Sequence, residues 1–159
     1  MSRIVVFSDT HGNLAAAAKI LQMNSGCDHF VFLGDGIEEI NVIKETYPTK
    51  KFYCVSGNCD KCDIPTSDVI ELFGHKLFLT HGHLFNVRDS LDQLIEAAKG
   101  EGVSFLLFGH THRRWLSKED GIYILNPGSA SQPKDGLLPS YAFIEFSAYE
   151  TTCIHVDLE

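Results

Sequence analysis

Seven residues in the chain have the types and spacing of a metal centre: Asp9 and His11, Asp35, Asn58, His81, and His110 with His112. Each comes just after a short apolar run. Residues 4–7 precede Asp9 and His11, 30–33 precede Asp35, 52–55 precede Asn58, 76–79 precede His81, and 105–108 precede His110 and His112. Carboxylates, an amide oxygen and imidazoles form a mixed oxygen and nitrogen donor set, which suits manganese, iron, zinc or nickel better than calcium or magnesium. Two such ions, about 3.5–4 Å apart, need one ligand that reaches both. A carboxylate on the tight Gly34-Asp35 turn can do this, so Asp35 is the expected bridge. The chemistry of such a pair is hydrolysis by an acidified water, with no protein nucleophile required.

For residues so far apart in sequence to meet, the elements before them must end at one edge of the molecule. The apolar runs read as strands, and the segments between them read as helices over 14–23, 37–47 and 90–99. Asn13 is placed to cap the first helix, Ser25-Gly26 to end it, and Pro48 to stop the second. A strand over 69–73 should pair with the one over 76–79 through a hairpin turn at Gly74-His75. Beyond residue 113 only strands follow, over 115–117, 122–125, 142–146 and 153–156, separated by Gly, Pro and Ser turns. Strand–helix alternation followed by hairpins predicts an α/β sandwich of two sheets, and open α/β sheets bind ligands beyond the carboxyl ends of their strands.

Composition limits what the chain can be. With 159 residues, 44% of them hydrophobic and 21% charged, it has material for one core and is expected to form a single domain over 1–159. A net charge of −8 argues against an extended surface for nucleic acid and favours a small substrate. There is no apolar run of about 18 residues and the apolar run at 4–7 is too short for a signal peptide, so no membrane association and a cytoplasmic location are expected. Five cysteines do not form an even secreted framework, and reduced thiols are expected. A homo-oligomer is compatible with all of this.

The motifs Asp9-Thr10-His11, Gly34-Asp35, Gly57-Asn58-Cys59-Asp60, Thr80-His81-Gly82-His83 and Gly109-His110-Thr111-His112 occur in that order, and over nearly the whole chain they resemble the calcineurin-like metallophosphoesterase superfamily. The short length, the run from Thr80 to Phe85 and Asn126-Pro127-Gly128-Ser129 look most like its small phosphodiesterases of the YfcE type. The resemblance implies a four-layer α/β/β/α sandwich of two mixed β-sheets flanked by helices. It also implies two divalent ions, best met by manganese. Asp9, His11, Asp35 and His112 would hold the first, and Asp35, Asn58, His81 and His110 the second. A hydroxide between the ions would attack a small phosphate ester in line, with Asn58 helping to stabilise charge on the phosphoryl oxygens. Where the family often carries a histidine after the asparagine, this chain has Cys59. A thiol is the weaker general acid, so cleavage should depend on leaving-group acidity.

Ordinary roles compete with the functional ones. Asp9 and Asp35 are also placed to cap helices, and a lone histidine is more often a hydrogen-bonded core residue than a ligand; the joint pattern favours ligation. His83 is a candidate substrate contact or a hydrogen-bonded support for a ligand, and Arg113 a candidate phosphate contact or a solvated strand edge. His29, His75 and His155 fall outside the motifs. Cys59 and Cys62 lie in a loop, where a redox pair would open a helix. The tight turn at 126–129 reads as architectural. The rival to catalysis is a protein-binding scaffold of the same fold, and a further alternative is a purely structural metal site.

Overall fold

The computed structural model describes residues 2–159. Thirteen elements follow in order: β1 (Ser2–Phe7), α1 (Leu14–Met23), β2 (His29–Phe32), α2 (Ile37–Thr46), β3 (Lys51–Cys54), β4 (Ser67–Leu72), β5 (His75–Thr80), α3 (Asp92–Glu101), β6 (Phe105–Phe108), β7 (Arg114–Glu119), β8 (Ile122–Pro127), β9 (Ser140–Phe146) and β10 (Thr151–Asp157). They build two five-stranded mixed sheets, ordered β10-β9-β1-β2-β3 and β4-β5-β6-β8-β7. β1 and β6 are the middle strands. β1 and β2, β2 and β3, β5 and β6, and β6 and β8 run parallel.

The two-residue period of the strands distributes their side chains over three apolar layers. Ile4 and Val6 of β1, with Phe105 and Leu107 of β6, pack between the sheets. Val5 and Phe7 face Ile20 and Leu21 of α1 and Ile40 and Ile43 of α2 on one outer side. Leu106 and Phe108 face Leu94 and Ala98 of α3 on the other. The layers are therefore α/β/β/α, as the resemblance implies. Strands such as β1 and β6 are continuously apolar because both of their faces are covered.

Local signals act largely as expected. The Asn13 side chain accepts a hydrogen bond from Ala16 N at 3.0 Å and starts α1. α2 ends one residue short of the predicted Tyr47, whose N–H closes onto Ile43 O at 2.9 Å. The β4–β5 turn is shifted by one residue from its expected place. Phe73 takes a left-handed φ of 54° beside Gly74, and His75 is already the first residue of β5. Its ring stacks on Phe146 with centroids 4.4 Å apart, and this apolar contact draws the residue into the strand. No described helix is long and apolar enough to cross a membrane.

Candidate metal centre

All five motifs end at one edge because the strands before them run parallel within each sheet. Backbone bonds extend that register beyond the strands: Asp9 N donates to Gly34 O at 2.9 Å, His11 N to Asp35 O at 3.0 Å, and Gly109 N to His81 O at 3.0 Å. Asp9, His11, Asp35, His110 and His112 have positive φ, between 44° and 71°. Left-handed backbone at non-glycine residues costs energy, and here it turns side chains out of the strand direction towards one another.

The side chains meet in two groups. Asp9 Oδ1 lies 3.4 Å from His11 Nε2 and 3.3 Å from His112 Nε2, and the two imidazole nitrogens are 3.1 Å apart. In the second group, His81 Nε2 lies 3.2 Å from Asp35 Oδ2 and 3.2 Å from His110 Nδ1. Asp35 Oδ2 is also 3.6 Å from His11 Nε2, so it faces a nitrogen of each group. Each carboxylate has its other oxygen tied. Asp9 Oδ2 accepts from Ser8 Oγ at 2.6 Å and His110 N at 3.1 Å, and Asp35 Oδ1 accepts from Cys59 N at 2.8 Å. His81 and His112 donate Nδ1–H to the carbonyls of Leu33 and Gln132, each at 2.7 Å, which fixes the tautomer and leaves Nε2 as a lone-pair donor.

The donor set fits cations. Asp9 Oδ1 is buried and has no hydrogen-bond donor among the described residues, although two imidazole nitrogens approach it. An uncompensated buried carboxylate oxygen facing imidazole lone pairs is costly unless a positive charge sits between them. Protons partly meet this need. Burial pushes the Asp9 and Asp35 carboxyls up, but the neighbouring histidines outweigh it and hold both below the usual range. Asp9 raises His11, and Asp35 with Asp9 raises His81 against its burial. Burial first, then His81 and Arg88, push His110 down to about 4. Burial and His81 also lower His83.

The remaining predicted residues lie around these groups. Asn58 is exposed, with its Nδ2 3.6 Å from Cys59 Sγ. Cys59 is exposed as well, yet its Sγ lies within 4.8 Å of donor atoms of His11 and Asp35. Residual burial, then Asp35, keeps its thiol above the ordinary range and therefore protonated near neutrality. The His83 ring centroid is 5.4 Å from that of His81 and 6.1 Å from that of His110, and its buried Nδ1 has no protein partner. That geometry does not match a hydrogen-bonded support role. Arg113 is exposed and makes no ion pair among the described residues. The turn at 126–129 is architectural: Asn126 Nδ2 donates to Gly109 O and Thr111 Oγ1, both at 3.0 Å, and Ser129 Oγ donates to Asp9 O at 2.8 Å.

Two positioning residues escaped the sequence reading. Asp60 Oδ2 accepts from Asp35 N at 2.7 Å and Gly57 N at 2.8 Å, and its Oδ1 accepts from Gly36 N at 2.9 Å and Ile37 N at 3.1 Å. One carboxylate thus clamps the Asp35 and Asn58 loops together and caps α2. Glu39 Oε2 accepts from Thr10 Oγ1 at 2.7 Å and Gly12 N at 3.0 Å, holding the His11 loop. The sequence hint for Asp60 was its place three residues after Gly57 in a tight loop. Glu39 reads only as an ordinary acidic residue in a first helical turn.

Comparison with known proteins agrees with this geometry. Residues 2–148 match the family model of the calcineurin-like phosphoesterase superfamily domain. The phosphodiesterase YfcE of Escherichia coli (strain K12) is 32% identical over 170 residues, which cover 91% of this chain and 88% of that one. A crystal structure of a conserved Streptococcus pneumoniae TIGR4 protein superposes with a TM-score of 0.85 at 29% identity, covering 98% of this chain and 89% of the other. Vps29 of Entamoeba histolytica, solved in complex with zinc, has a TM-score of 0.74 at 22% identity, covers 98% of both chains and shares the fold. The chain belongs to the calcineurin-like phosphoesterase superfamily.

Proposed function

We propose that the protein is a dinuclear metal-dependent phosphodiesterase that hydrolyses small phosphate esters. The observation that carries this reading is the pair of donor groups, Asp9–His11–His112 and Asp35–His81–His110, with Asp35 Oδ2 facing both and Asp9 Oδ1 lacking any donor. Asp35 is assigned as the shared ligand, and Asn58 completes the second site from the adjoining loop. Two divalent ions, best met by manganese, would supply Lewis acidity for the phosphoryl oxygens and an acidified water as nucleophile.

The chain's own groups orient and bind. The Nδ1–H bonds of His81 and His112 hold their rings so that Nε2 points at the donor groups. Burial and His81 keep His83 neutral near pH 7, and its ring beside His81 and His110 is assigned to line the substrate side of the site. Arg113 adds a positive charge beside His112. Cys59 holds its proton near neutrality and donates it poorly, which favours esters with acidic leaving groups. Five cysteines that make no even framework fit a cytoplasmic setting, where thiols stay reduced.

The test is hydrolysis of bis(4-nitrophenyl) phosphate and 4-nitrophenyl phosphate by chelator-treated protein reloaded with manganese, iron, zinc or nickel, with bound metal counted. Turnover that returns with about two ions per chain, faster on the diester, supports the reading. A chain that turns over nothing in any metal is a protein-binding scaffold of the same fold.

A further inference from the structure

A cavity of about 700 Å³ opens beside the candidate metal centre, and of the residues that line it the catalytic reading gives a role to Arg113 alone. Its floor includes Phe108 and Thr111, the residues on either side of Gly109-His110, so it is continuous with the His110–His112 loop. One wall is the approach to α3 and its first turn, with Leu91 and Ile95, and the opposite wall is the start of β7, with Trp115. A bare phosphoryl group fills a small part of this volume, whereas a drug-sized or nucleoside-sized group matches it.

Two features define what the cavity would accept. The first is Trp115, which is 48% exposed although it is the chain's single tryptophan. Its Nε1–H is satisfied within its own strand, donating to Ser117 Oγ at 2.8 Å, so the indole has no polar need to meet and its ring remains free for stacking. The second feature is charge. Arg88, Arg113 and Lys134 line the cavity, and none of them forms an ion pair among the described residues. Arg114 beside them is already committed, to Leu138 O at 3.0 Å and Asp157. Asp89, Asp92 and Glu119 share the rim without pairing with these cations. In a chain of net charge −8, three unpaired cations around an exposed aromatic ring form a site for an anion that carries a flat ring.

We infer that this cavity binds a nucleotide arm of the substrate, with the base stacked on Trp115 and a phosphate held by Arg113 and Lys134, while the scissile phosphodiester reaches the metal groups past Thr111. The substrate class is then a short nucleotide phosphodiester with one terminal phosphate. The inference rests on the hydrolytic reading for the word substrate, but not for the binding site. The negative net charge disfavours a long polyanion; the local cations serve one further phosphate.

Trp115 provides the readout, since it alone emits as tryptophan. Titration of the full-length protein with 5′-phosphoadenylyl-adenosine should quench its emission saturably, and adenylyl-adenosine without the terminal phosphate should bind more weakly. Lys134→Ala should weaken binding of the phosphorylated dinucleotide about tenfold and of the unphosphorylated one little, and Arg113→Ala should weaken the phosphorylated one by at least as much. Trp115→Ala should lower kcat/KM for the dinucleotide roughly 5- to 150-fold more than for bis(4-nitrophenyl) phosphate, the range of one base–aromatic stack. If the metal-loaded protein turns over bis(4-nitrophenyl) phosphate and no dinucleotide quenches Trp115, this inference fails while the hydrolytic reading stands. Quenching with no turnover in any metal has the opposite meaning: the nucleotide site stands and the hydrolytic reading fails. Equal binding of the two dinucleotides overturns the assignment of the cations.

Discussion

Replacing Asp60 by alanine should disconnect the two loops that carry Asp35 and Asn58. The Asp60 carboxylate accepts four backbone N–H bonds, at 2.7, 2.8, 2.9 and 3.1 Å, from Asp35, Gly57, Gly36 and Ile37. A hydrogen bond to a charged group contributes about 1.5–3 kcal/mol, and a lost cap about 0.5–2 kcal/mol. The four are not additive, and Asp60 is half-buried, so water reaches some of the freed N–H groups. The net loss is then about 3–5 kcal/mol, less than half the sum of the upper values. For a chain of this size that lowers the melting temperature by roughly 6–20 °C, at 2–4 °C per kcal/mol. Manganese affinity should fall about 10- to 100-fold, the usual effect of removing a group that orients a ligand. Circular dichroism melts of metal-free protein measure the first effect, and calorimetric titration with manganese the second. A variant that melts within about 2 °C of the parent and binds manganese within twofold would refute the clamp. Asp60→Asn should recover at most half of the loss, because its amide nitrogen meets backbone donors where an oxygen stood.

Four further outcomes follow from the site. His11 and His81 have raised values in the metal-free protein, so entering ions displace protons. Affinity should weaken as pH falls through those values, by up to tenfold per pH unit per proton, and calorimetry in buffers of different ionisation enthalpy should detect the release. Metal-free stability carries both signs: the raised pair contributes below about pH 6.5 and is lost on going up through their folded values, whereas His110, at about 4, favours the fold above about 6.5 and withdraws that support as pH falls towards 4. Gly57→Ala puts a Cβ onto Asp35 Oδ1, and should remove most activity and at least one bound ion while the far-ultraviolet spectrum stays native, as metal counting on the purified variant would show. Cys59→His should flatten the dependence of rate on leaving-group pKa across a series of aryl and alkyl diesters; a parent protein whose rates are already flat contradicts the role given to Cys59.

The strands were legible because β1 and β6 are covered on both faces and so read as unbroken apolar runs, and the residues after them stood out by being polar where the pattern demanded apolar. Helix α1 was legible from Asn13 and its alanine-rich face. The convergence of Asp9 with His112 was not legible from spacing alone; it needs the parallel register and the left-handed turns after the strands, and the family motifs supplied it. Asp60 and Glu39 stayed hidden because their partners are backbone N–H groups and a threonine hydroxyl on other loops, which leave no periodic trace. The cavity at Trp115 stayed hidden for a related reason: its walls come from the α3 approach and β7, and only pairing distances reveal that Arg88, Arg113 and Lys134 are uncommitted.

The division of the site between the sheets bears on how the chain reaches its native state. Asp9, His11, Asp35 and Asn58 follow strands of one sheet, and His81, His110 and His112 follow strands of the other. The two groups form only after both sheets have paired and docked, since Asp9 and His112 are a hundred residues apart in the chain. Ions that need both halves have little to hold in an early, half-assembled transition state. They should leave the refolding rate nearly unchanged and act on the other limb, slowing the escape from the native state as a rivet driven last through two plates keeps them from parting.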